Sequence, residues 1–431
     1  MHNQTGTKKS KLDTPDFQSQ LTNVEVQLNE QLQFHITEPE VKEHPYAEYY
    51  IGLVGVIIIV CCMVYGVNTH GESLWFNLVL MTGSLMLLLG ASNAVLEFAV
   101  KLAEALGVSE LVIGLTIVSI GTSIPEIFTA IISARLGLGA IVIGDIYGSY
   151  ITQLSIFLGI VILMAPLTVN RSFVPHVKRD GGLMLTALLI LSLNISDGHM
   201  TRLEAGISML IFFGYVAYLY ITAKKNPAIQ EEQMHMIQGM EQAEGIHRIA
   251  ELETVSTNFN FREQTPQLKV KVPSIKIVIY VTSLLAGCLI CYLGAHFVVV
   301  SGSNIARMAD LPEHTVGATI IGFGTGFPEF VVSVAAVKRK KHDIAYGNLL
   351  GSNVVDPLFS ISLGVLFNPI SLTESDLHGI LGILLPIAII TDIFIIIIFS
   401  RRFSKRNQEI MFGISFIVIY ATFLVISFGL V

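Results

Sequence analysis

Residues 114–153 read GLTIVSIGTSIPEIFTAIISARLGLGAIVIGDIYGSYITQ. The pattern predicts two apolar helices, each interrupted by small residues, with Glu126 in the middle of the first. A carboxylate in such a run costs about 2.5–3.5 kcal/mol to insert at the centre of a bilayer, so it needs a partner. Pro125 removes a backbone donor and frees carbonyls one turn earlier, near the hydroxyls of Thr122 and Ser123. Together these oxygens form a pocket that suits a hard cation.

The same pattern occurs a second time. Residues 317–356 read GATIIGFGTGFPEFVVSVAAVKRKKHDIAYGNLLGSNVVD. Eight positions are identical at one fixed offset of 203 residues: Gly114, Gly121, Thr122, Pro125, Glu126, Gly144, Gly148 and Ser149 match Gly317, Gly324, Thr325, Pro328, Glu329, Gly347, Gly351 and Ser352. The chain is therefore an internal duplication.

Composition places the chain in a membrane. Its 431 residues are 52% hydrophobic and 14% charged, with a mean hydropathy of +0.66. A soluble protein would carry about 25% charged residues. The pattern predicts a polytopic membrane protein that has the lipid bilayer as a partner and does not bind nucleic acid. The four cysteines lie in apolar runs and are expected to be small buried hydrophobes.

The hydrophobic runs predict an all-α protein with eleven membrane-spanning helices. Residues 1–48 are polar and are expected to form a disordered tail without a signal peptide, and 49–67 form an extra helix outside the duplication. Ten core helices follow, at 75–100, 110–136, 141–166, 181–195, 203–223, 275–300, 314–337, 344–366, 377–400 and 410–430. The first five-helix repeat occupies 75–223 and the second 274–431. A polar loop at 224–273 separates them and has no calcium-loop spacing of acids.

Basic residues predict the orientation. Alternating spans place 23 of the 26 Lys and Arg residues on one side and three, Arg135, Arg202 and Arg307, on the other. The richer side is cytoplasmic by the positive-inside rule, so the N-terminus is predicted inside and the C-terminus extracytoplasmic. Because each repeat has five helices, the second is inverted relative to the first. Inverted repeats with broken helices commonly place an ion site at their interface.

The candidate cation site draws on both repeats. Thr122 and Glu126 are four apart and are predicted on one helix face. Unpaired, three carboxylates in hydrocarbon would cost about 8–10 kcal/mol. Since these helices have no Lys or Arg nearby, we expect bound cations or protons as their partners. The predicted site residues are Thr122, Ser123, Glu126, Ser149 and Gln153 from the first repeat, and Thr325, Glu329, Ser352 and Asp356 from the second.

Three other polar positions carry predictions. Asp145 is expected to cap a helix start near the surface, although a proton-titrating role is the alternative. Asp392 lies in the apolar run AIITDIFIIII and is expected to have a structural partner, a functional role being the alternative. Glu97 and Lys101 are four apart and are expected to pair.

The motifs GTSIPE with GDIYGSY, and GTGFPE with GNLLGSN, resemble the two alpha-repeats of the cation/calcium antiporter superfamily, and most of all the sodium/calcium exchangers. The resemblance covers residues 75–430 and includes DGHMTRLEAGISMLIFFGYVAYL at 197–219. It implies calcium-for-sodium exchange by alternating access, with the helices at 75–100 and 275–300 sliding. The implied ion ligands are the carboxylates Glu126 and Glu329, the hydroxyls Thr122 and Thr325, sodium-site hydroxyls at Ser123, Ser149 and Ser352, and a further acid at Asp356.

The chain departs from that pattern at four positions. Gly326 stands where the second repeat normally has Ser, and Gln153 stands where Asn is usual. Tyr150 replaces the Asn of GSN, and Asp145 replaces the Asn of GN. The two sodium sites beside the central site would then be unequal, which leaves the stoichiometry and the coupling ion open.

The sequence is compatible with more than one function. Sodium-driven calcium exchange is preferred, and proton-coupled exchange of calcium or another divalent ion is the alternative. No resident cofactor is expected, because Ca²⁺, Na⁺ and H⁺ would be substrates. An intramembrane aspartyl protease using Asp145 and Asp356 would leave the duplicated glutamates without a role, so we expect no enzymatic activity. A channel remains conceivable, and the sequence does not choose between a plasma membrane and an organelle.

Overall fold

The computed structural model describes seven stretches of the chain: 47–69, 73–106, 119–164, 173–225, 274–338, 342–400 and 406–429. The predicted tail at 1–48 and the predicted loop at 224–273 lie almost wholly outside these stretches. The opening part of the predicted helix at 110–136, which includes Gly114, lies outside them as well. Both predictions about the tail and the loop therefore stay predictions.

Within the described residues, every one of the eleven predicted helices has a counterpart. They are α1 Ala47–Thr69, α2 Leu74–Ala105, α3 Ser119–Gly121 continuing as Ile124–Leu136, α4 Gly139–Met164, α5 Phe173–Asn194, α6 Arg202–Lys225, α7 Ser274–Met308, α8 Glu313–Lys338, α9 342–367, α10 374–400 and α11 Arg406–Gly429. The largest differences from the prediction are eight residues: α5 begins at Phe173 instead of 181, and α7 ends at Met308 instead of 300. In α5 the residues before 181 include Lys178 and Arg179, and charged residues obscure a helix start in a hydropathy pattern.

Eight of these helices are long and apolar enough to cross a membrane: α2, α4, α6, α7, α8, α9, α10 and α11. Tyr50–Cys62 and Asp180–Asn194 are shorter apolar helices, and the described part of α3 is interrupted. Large apolar side chains such as Leu285 and Val425 are more than 60% exposed, as expected of a surface that faces lipid. The chain is thus a nearly all-helical, multi-pass membrane protein, and the count of eleven spans stays a prediction.

Helix contacts follow the duplication. α4 packs against α8, and the equivalent α9 packs against α3. α11 packs against the end of α4, and the equivalent α6 packs against the end of α9. α2 pairs with α7, and α5 pairs with α10, so each of these helices contacts its own equivalent. When the two halves are exchanged, the first four contacts map onto one another in pairs, and the α2–α7 and α5–α10 contacts map onto themselves. This is the pattern of two related halves.

Backbones approach closely along the seam between α4 and α8. A Cβ at Gly148 would lie 2.0 Å from the carbonyl oxygen of Ala318, and one at Gly322 would lie 2.6 Å from the amide nitrogen of Ser149. Only residues without a side chain permit this spacing. The glycines that looked ambiguous in the sequence therefore set the distance between α4 and α8, which carry site residues from opposite halves.

Contacts at helix ends agree with the predicted alternation of sides. A short antiparallel pairing joins His199–Met200, after α5, to Ile370–Ser371, after α9. His314 at the start of α8 bonds Asp376 at the start of α10, with 3.0 Å between Nδ1 and Oδ1. Alternation places all of these ends on the extracytoplasmic side. The sequence did not predict the two strands, because each is only two residues long. Which side is cytoplasmic stays a prediction.

Candidate functional site

Both broken helices place an acid just after their interruption. α3 is interrupted at Thr122 and Ser123, and Ile124–Leu136 then begins with Pro125 and Glu126 in its first turn. α8 is interrupted at Gly326, and Phe327–Lys338 has Glu329 in its first turn. Amides at a helix start lack intrahelical partners and favour negative charge. The predicted break is confirmed. Thr122 lies in the break and Glu126 in the first turn after it, so the two do not share one helix face as expected.

Two π-helical turns mark equivalent positions on the neighbouring helices. In α4 the turn is Gln153–Phe157, and in α9 it is Asp356–Ser360. Gln153 and Asp356 are related by the duplication, so each π turn begins at a predicted site residue. Such turns are rare and occur often at functional sites. No sequence pattern predicted these turns, since a π turn inserts one residue without changing the apolar composition.

All nine predicted site residues are buried, each with at most 6% of its surface exposed: Thr122, Ser123, Glu126, Ser149, Gln153, Thr325, Glu329, Ser352 and Asp356. The carboxylate of Glu126 lies close enough to those of Glu329, Asp356 and Asp145 to interact electrostatically. Acids from both halves are therefore brought together, as the sequence predicted for the two glutamates.

Within the described part of the chain, Glu126 has no partner that would neutralise it. Among the described residues, neither of its oxygens has a hydrogen-bond donor and no Lys, Arg or His pairs with it. A buried bare carboxylate is strongly unfavourable. Its environment therefore fits a cation or a proton, which would supply the missing partner.

Carboxylates alone do not form a ready-made metal centre. The described part of the chain contains no group of three or more His, Cys, Asp or Glu side chains arranged to hold a metal ion. An ion bound beside Glu126 would thus take several ligands from hydroxyl and backbone oxygens. Calcium accepts six to eight such oxygens in flexible geometry, and the donors present here are of this type.

Asp145 is a functional candidate that the sequence placed wrongly. It was expected to cap a helix near the surface, but it lies inside Gly139–Thr152 and is fully buried. Its two carboxylate oxygens accept hydrogen bonds from Thr129 Oγ1 at 2.7 Å and from Thr325 Oγ1 at 2.8 Å. The helix begins at Gly139, six residues earlier, so Asp145 is beyond the first turn. Asp145 lies on α4 and links this helix to Thr129 on α3 and to Thr325 on α8.

The equivalent residue in the second half is an amide and bonds differently. Asn348 donates from Nδ2 to the backbone oxygen of Glu329 at 2.8 Å and to Ser333 Oγ at 3.1 Å. The first half thus has an acid where the second has a donor. Since both residues lie next to the glutamates, the charge around the site differs between the two halves.

Tyr150 explains another departure from the expected motif. Its hydroxyl donates to Asp392 Oδ2 at 3.1 Å, and both residues are buried. The predicted structural partner of Asp392 is therefore confirmed, and it joins α4 to α10. Glu97 and Lys101 also pair as expected.

Replacing Tyr150 with phenylalanine is expected to lower the free energy of unfolding by about 1–3 kcal/mol, because it removes a donor from a buried carboxylate. Tyr147→Phe is the matched control, since Tyr147 bonds the neutral hydroxyl of Ser192 at 2.6 Å. That bond is worth about 0.5–1.5 kcal/mol. Thermal unfolding in detergent measures both. Equal losses for the two variants would contradict a special role for the tyrosine–acid pair.

The hydrogen bonds of the remaining hydroxyl and amide groups stay within α4 or join α4 to α9. Ser149 Oγ donates to the backbone oxygen of Ile146 at 3.1 Å, which leaves its oxygen lone pairs available. Ser352 Oγ donates to Gln153 Oε1 at 2.6 Å, and Asn353 Nδ2 donates to the same oxygen at 3.0 Å. Both lone pairs of the Gln153 oxygen are in use, so this oxygen is not free to bind a cation in this structure.

The fold and the site define a multi-pass helical membrane protein with a buried cluster of acids contributed by two related halves. The family model described as sodium/calcium exchanger protein matches residues 76–221 and 279–429, which is more than half of the chain. The chain belongs to this family of membrane cation exchangers, and the resemblance noted in its motifs is confirmed.

Relatives found by sequence agree with this assignment. The chain is 29% identical to the sodium/calcium exchanger MaX1 of Methanosarcina acetivorans over 372 residues, which cover 82% of the chain and 98% of the relative. It is 25% identical to the putative antiporter CaxA of Alkalimonas amylolytica over 285 residues, covering 66% of the chain and 79% of the relative. A solved structure of the sodium-calcium exchanger NCX_Mj aligns with a TM-score of 0.45 and 21% identity, covering 79% of the chain and 94% of that structure.

Proposed function

We propose that the protein is a secondary-active antiporter that exchanges Ca²⁺ for Na⁺ across a membrane. The observation that carries the proposal is the state of Glu126, which is fully buried, has no neutralising partner among the described residues, and lies near three further acids. A site of this kind needs bound cations or protons in order to be stable in a low-dielectric interior. Family membership and the name of the relative MaX1 support the choice of ions.

The proposed ligands are the predicted carboxylates and hydroxyls. They are Glu126, Glu329, Thr122, Thr325, Ser123, Ser149, Ser352 and Asp356. The ninth predicted residue, Gln153, is not among the proposed ligands, because its oxygen already accepts two hydrogen bonds. Thr325 donates its proton to Asp145, so its oxygen lone pairs stay available to an ion. Hard cations prefer such oxygen ligands.

Competition for the acids would couple the two ions. One divalent ion or several monovalent ions can neutralise the same carboxylates, but the bare cluster is costly to enclose. The protein would therefore change its access side only when the acids are neutralised, which prevents uncoupled leak. The resemblance implies that α2 and α7 move in that step, and these two helices pack against each other along their lengths.

Calcium uptake into reconstituted vesicles is expected to depend on an outward sodium gradient. Uptake should fall to the level of protein-free vesicles when choline replaces sodium, because choline cannot enter a site built from close oxygens. A protonophore should leave sodium-driven uptake unchanged. Radioactive calcium retained on filters measures all three conditions. Uptake that survives sodium removal and is lost with the protonophore would contradict sodium coupling.

Proton-coupled exchange of calcium or another divalent ion is the second candidate. The observation that favours it is Asp145, which brings a further buried carboxylate to the cluster from the first half only. The vesicle experiment separates the two candidates, since each predicts a different driving gradient. Both require the same central carboxylates.

A further inference from the structure

The duplication gives the site two equivalent sides with different chemistry. On one side the Ser123 hydroxyl and the Asp356 carboxylate are neighbours, and among the described residues neither Ser123 Oγ nor Asp356 Oδ2 has a hydrogen-bond partner. The residues related to these two by the 203-residue offset are Gly326 and Gln153. They also lie together, because a Cβ built on Gly326 would be 3.3 Å from Gln153 Nε2. A hydroxyl and a carboxylate on one side are thus replaced by a glycine and an amide on the other.

Hydrogen bonds fix which end of the Gln153 amide faces Gly326. Asn353 approaches the backbone oxygen of Leu349 at 2.6 Å, and a carbonyl only accepts, so the Asn353 atom there must be its nitrogen. The same nitrogen lies 3.0 Å from the terminal atom assigned as Gln153 Oε1, which must then be the oxygen. The nitrogen of Gln153 is left facing Gly326.

That nitrogen is buried and unsatisfied. Gln153 is fully buried, and its Nε2 meets no acceptor among the described residues. An amide nitrogen is a donor only and carries the positive end of the amide dipole. At Gly326 there is no side chain that could supply an oxygen. A cation on this side would face the N–H groups of Gln153, whereas a cation on the opposite side would face a hydroxyl and a carboxylate.

We propose that Gln153 is a specificity-determining residue that excludes a cation from the Gly326 side of the site. The amide occupies that side, while the Ser123–Asp356 side and the central glutamates bind ions. The protein thus takes up one monovalent ion fewer per cycle than an exchanger with oxygen ligands on both sides. This inference rests on the proposed exchange function and adds the number of coupled ions to it.

Two variants place a side-chain oxygen atom on the Gly326 side of the site in different ways. Gln153→Glu changes the nitrogen into an oxygen without changing the shape, and the other oxygen keeps its bonds to Ser352 and Asn353. The double variant Gln153→Asn with Gly326→Ser adds a hydroxyl and withdraws the amide, with no change in charge. The shortening is needed, because a Cβ at Gly326 would crowd the longer amide.

The sodium dependence of the two variants tests the proposal. The Hill coefficient for sodium is expected to rise by about one in each, since it is limited by the number of sites. It is read from thermal protection of purified protein by sodium, which needs no transport, and from sodium-driven calcium release. In vesicles, the charge moved per calcium ion should rise by about one elementary charge in the same variants.

Each outcome decides a different claim. Unchanged Hill coefficients and unchanged charge in both variants, with calcium exchange intact, would overturn the role of Gln153. Absence of sodium-dependent calcium movement in the unmodified protein would overturn the proposed function instead. Should Gln153→Glu fail to fold because of its added acid, the uncharged double variant decides alone, and thermal protection still counts sodium sites.

Discussion

Glutamine at Glu126 is expected to remove calcium transport and, at the same time, to stabilise the ion-free protein. Transport should fall by more than the roughly 10–100-fold that loss of a supporting group costs a metal site, because Glu126 is proposed to contact the ion itself. The ion-free protein gains stability because a buried charge without a partner is replaced by a neutral group. Vesicle uptake and thermal unfolding in calcium-free, sodium-free buffer measure the two effects.

Glu409→Gln is the matched control for this variant. Glu409 is also fully buried, but Arg406 Nη1 lies 2.8 Å from its Oε2. Removing one partner of a buried pair leaves the other charge uncompensated, so this variant should lose stability where Glu126→Gln gains it. Because Arg406 is partly exposed, the loss is expected to be modest. A loss of stability in Glu126→Gln would show that the protein itself compensates this glutamate.

Alanine at Gly148 is expected to prevent folding or to lower the free energy of unfolding severely. The added Cβ would lie 2.0 Å from the oxygen and 2.3 Å from the Cα of Ala318. These are backbone atoms of α8, so relief requires α4 and α8 to move apart. Overpacking costs about 1–3 kcal/mol, occasionally more, and we expect at least the upper end.

Gly206→Ala makes the same chemical change where there is room. Within the described residues, nothing lies within 4 Å of an ideal Cβ at Gly206 in α6. A helical Gly→Ala change at such a position stabilises by about 0.5–1 kcal/mol. Monodispersity and thermal unfolding in detergent compare the two variants. A well-folded Gly148→Ala protein with unchanged stability would contradict the close approach of α4 and α8.

The duplication was the strongest signal in the sequence, and the structure shows why. Eight identities at one offset are visible without coordinates, and they include Glu126 and Glu329, which the fold brings into one buried cluster. Apolar runs located the helices for the same reason, since membrane spans are defined by composition over many residues. The repeated motif and the apolar runs can both be read from the local sequence without knowledge of the fold.

The positions that the sequence misjudged depend on distant partners. Asp145 was read as a helix cap, and its actual partner Thr325 lies 180 residues away. The orientation of the Gln153 amide was not predicted either, because Asn353 and Ser352 from α9 hold its oxygen and turn its nitrogen toward Gly326. Which atom of an amide faces a site is set by its neighbours in space. No local pattern carries that information.

Calcium binding to the purified protein tests the central claim most directly, namely that the buried acids bind ions and that none of the described residues neutralises Glu126. Isothermal titration of sodium-free protein with calcium is expected to show binding that added sodium displaces. The same titration of Glu126→Gln is expected to show no calcium binding, although the protein is folded. Calcium binding that survives in Glu126→Gln, or that sodium does not displace, would contradict the account.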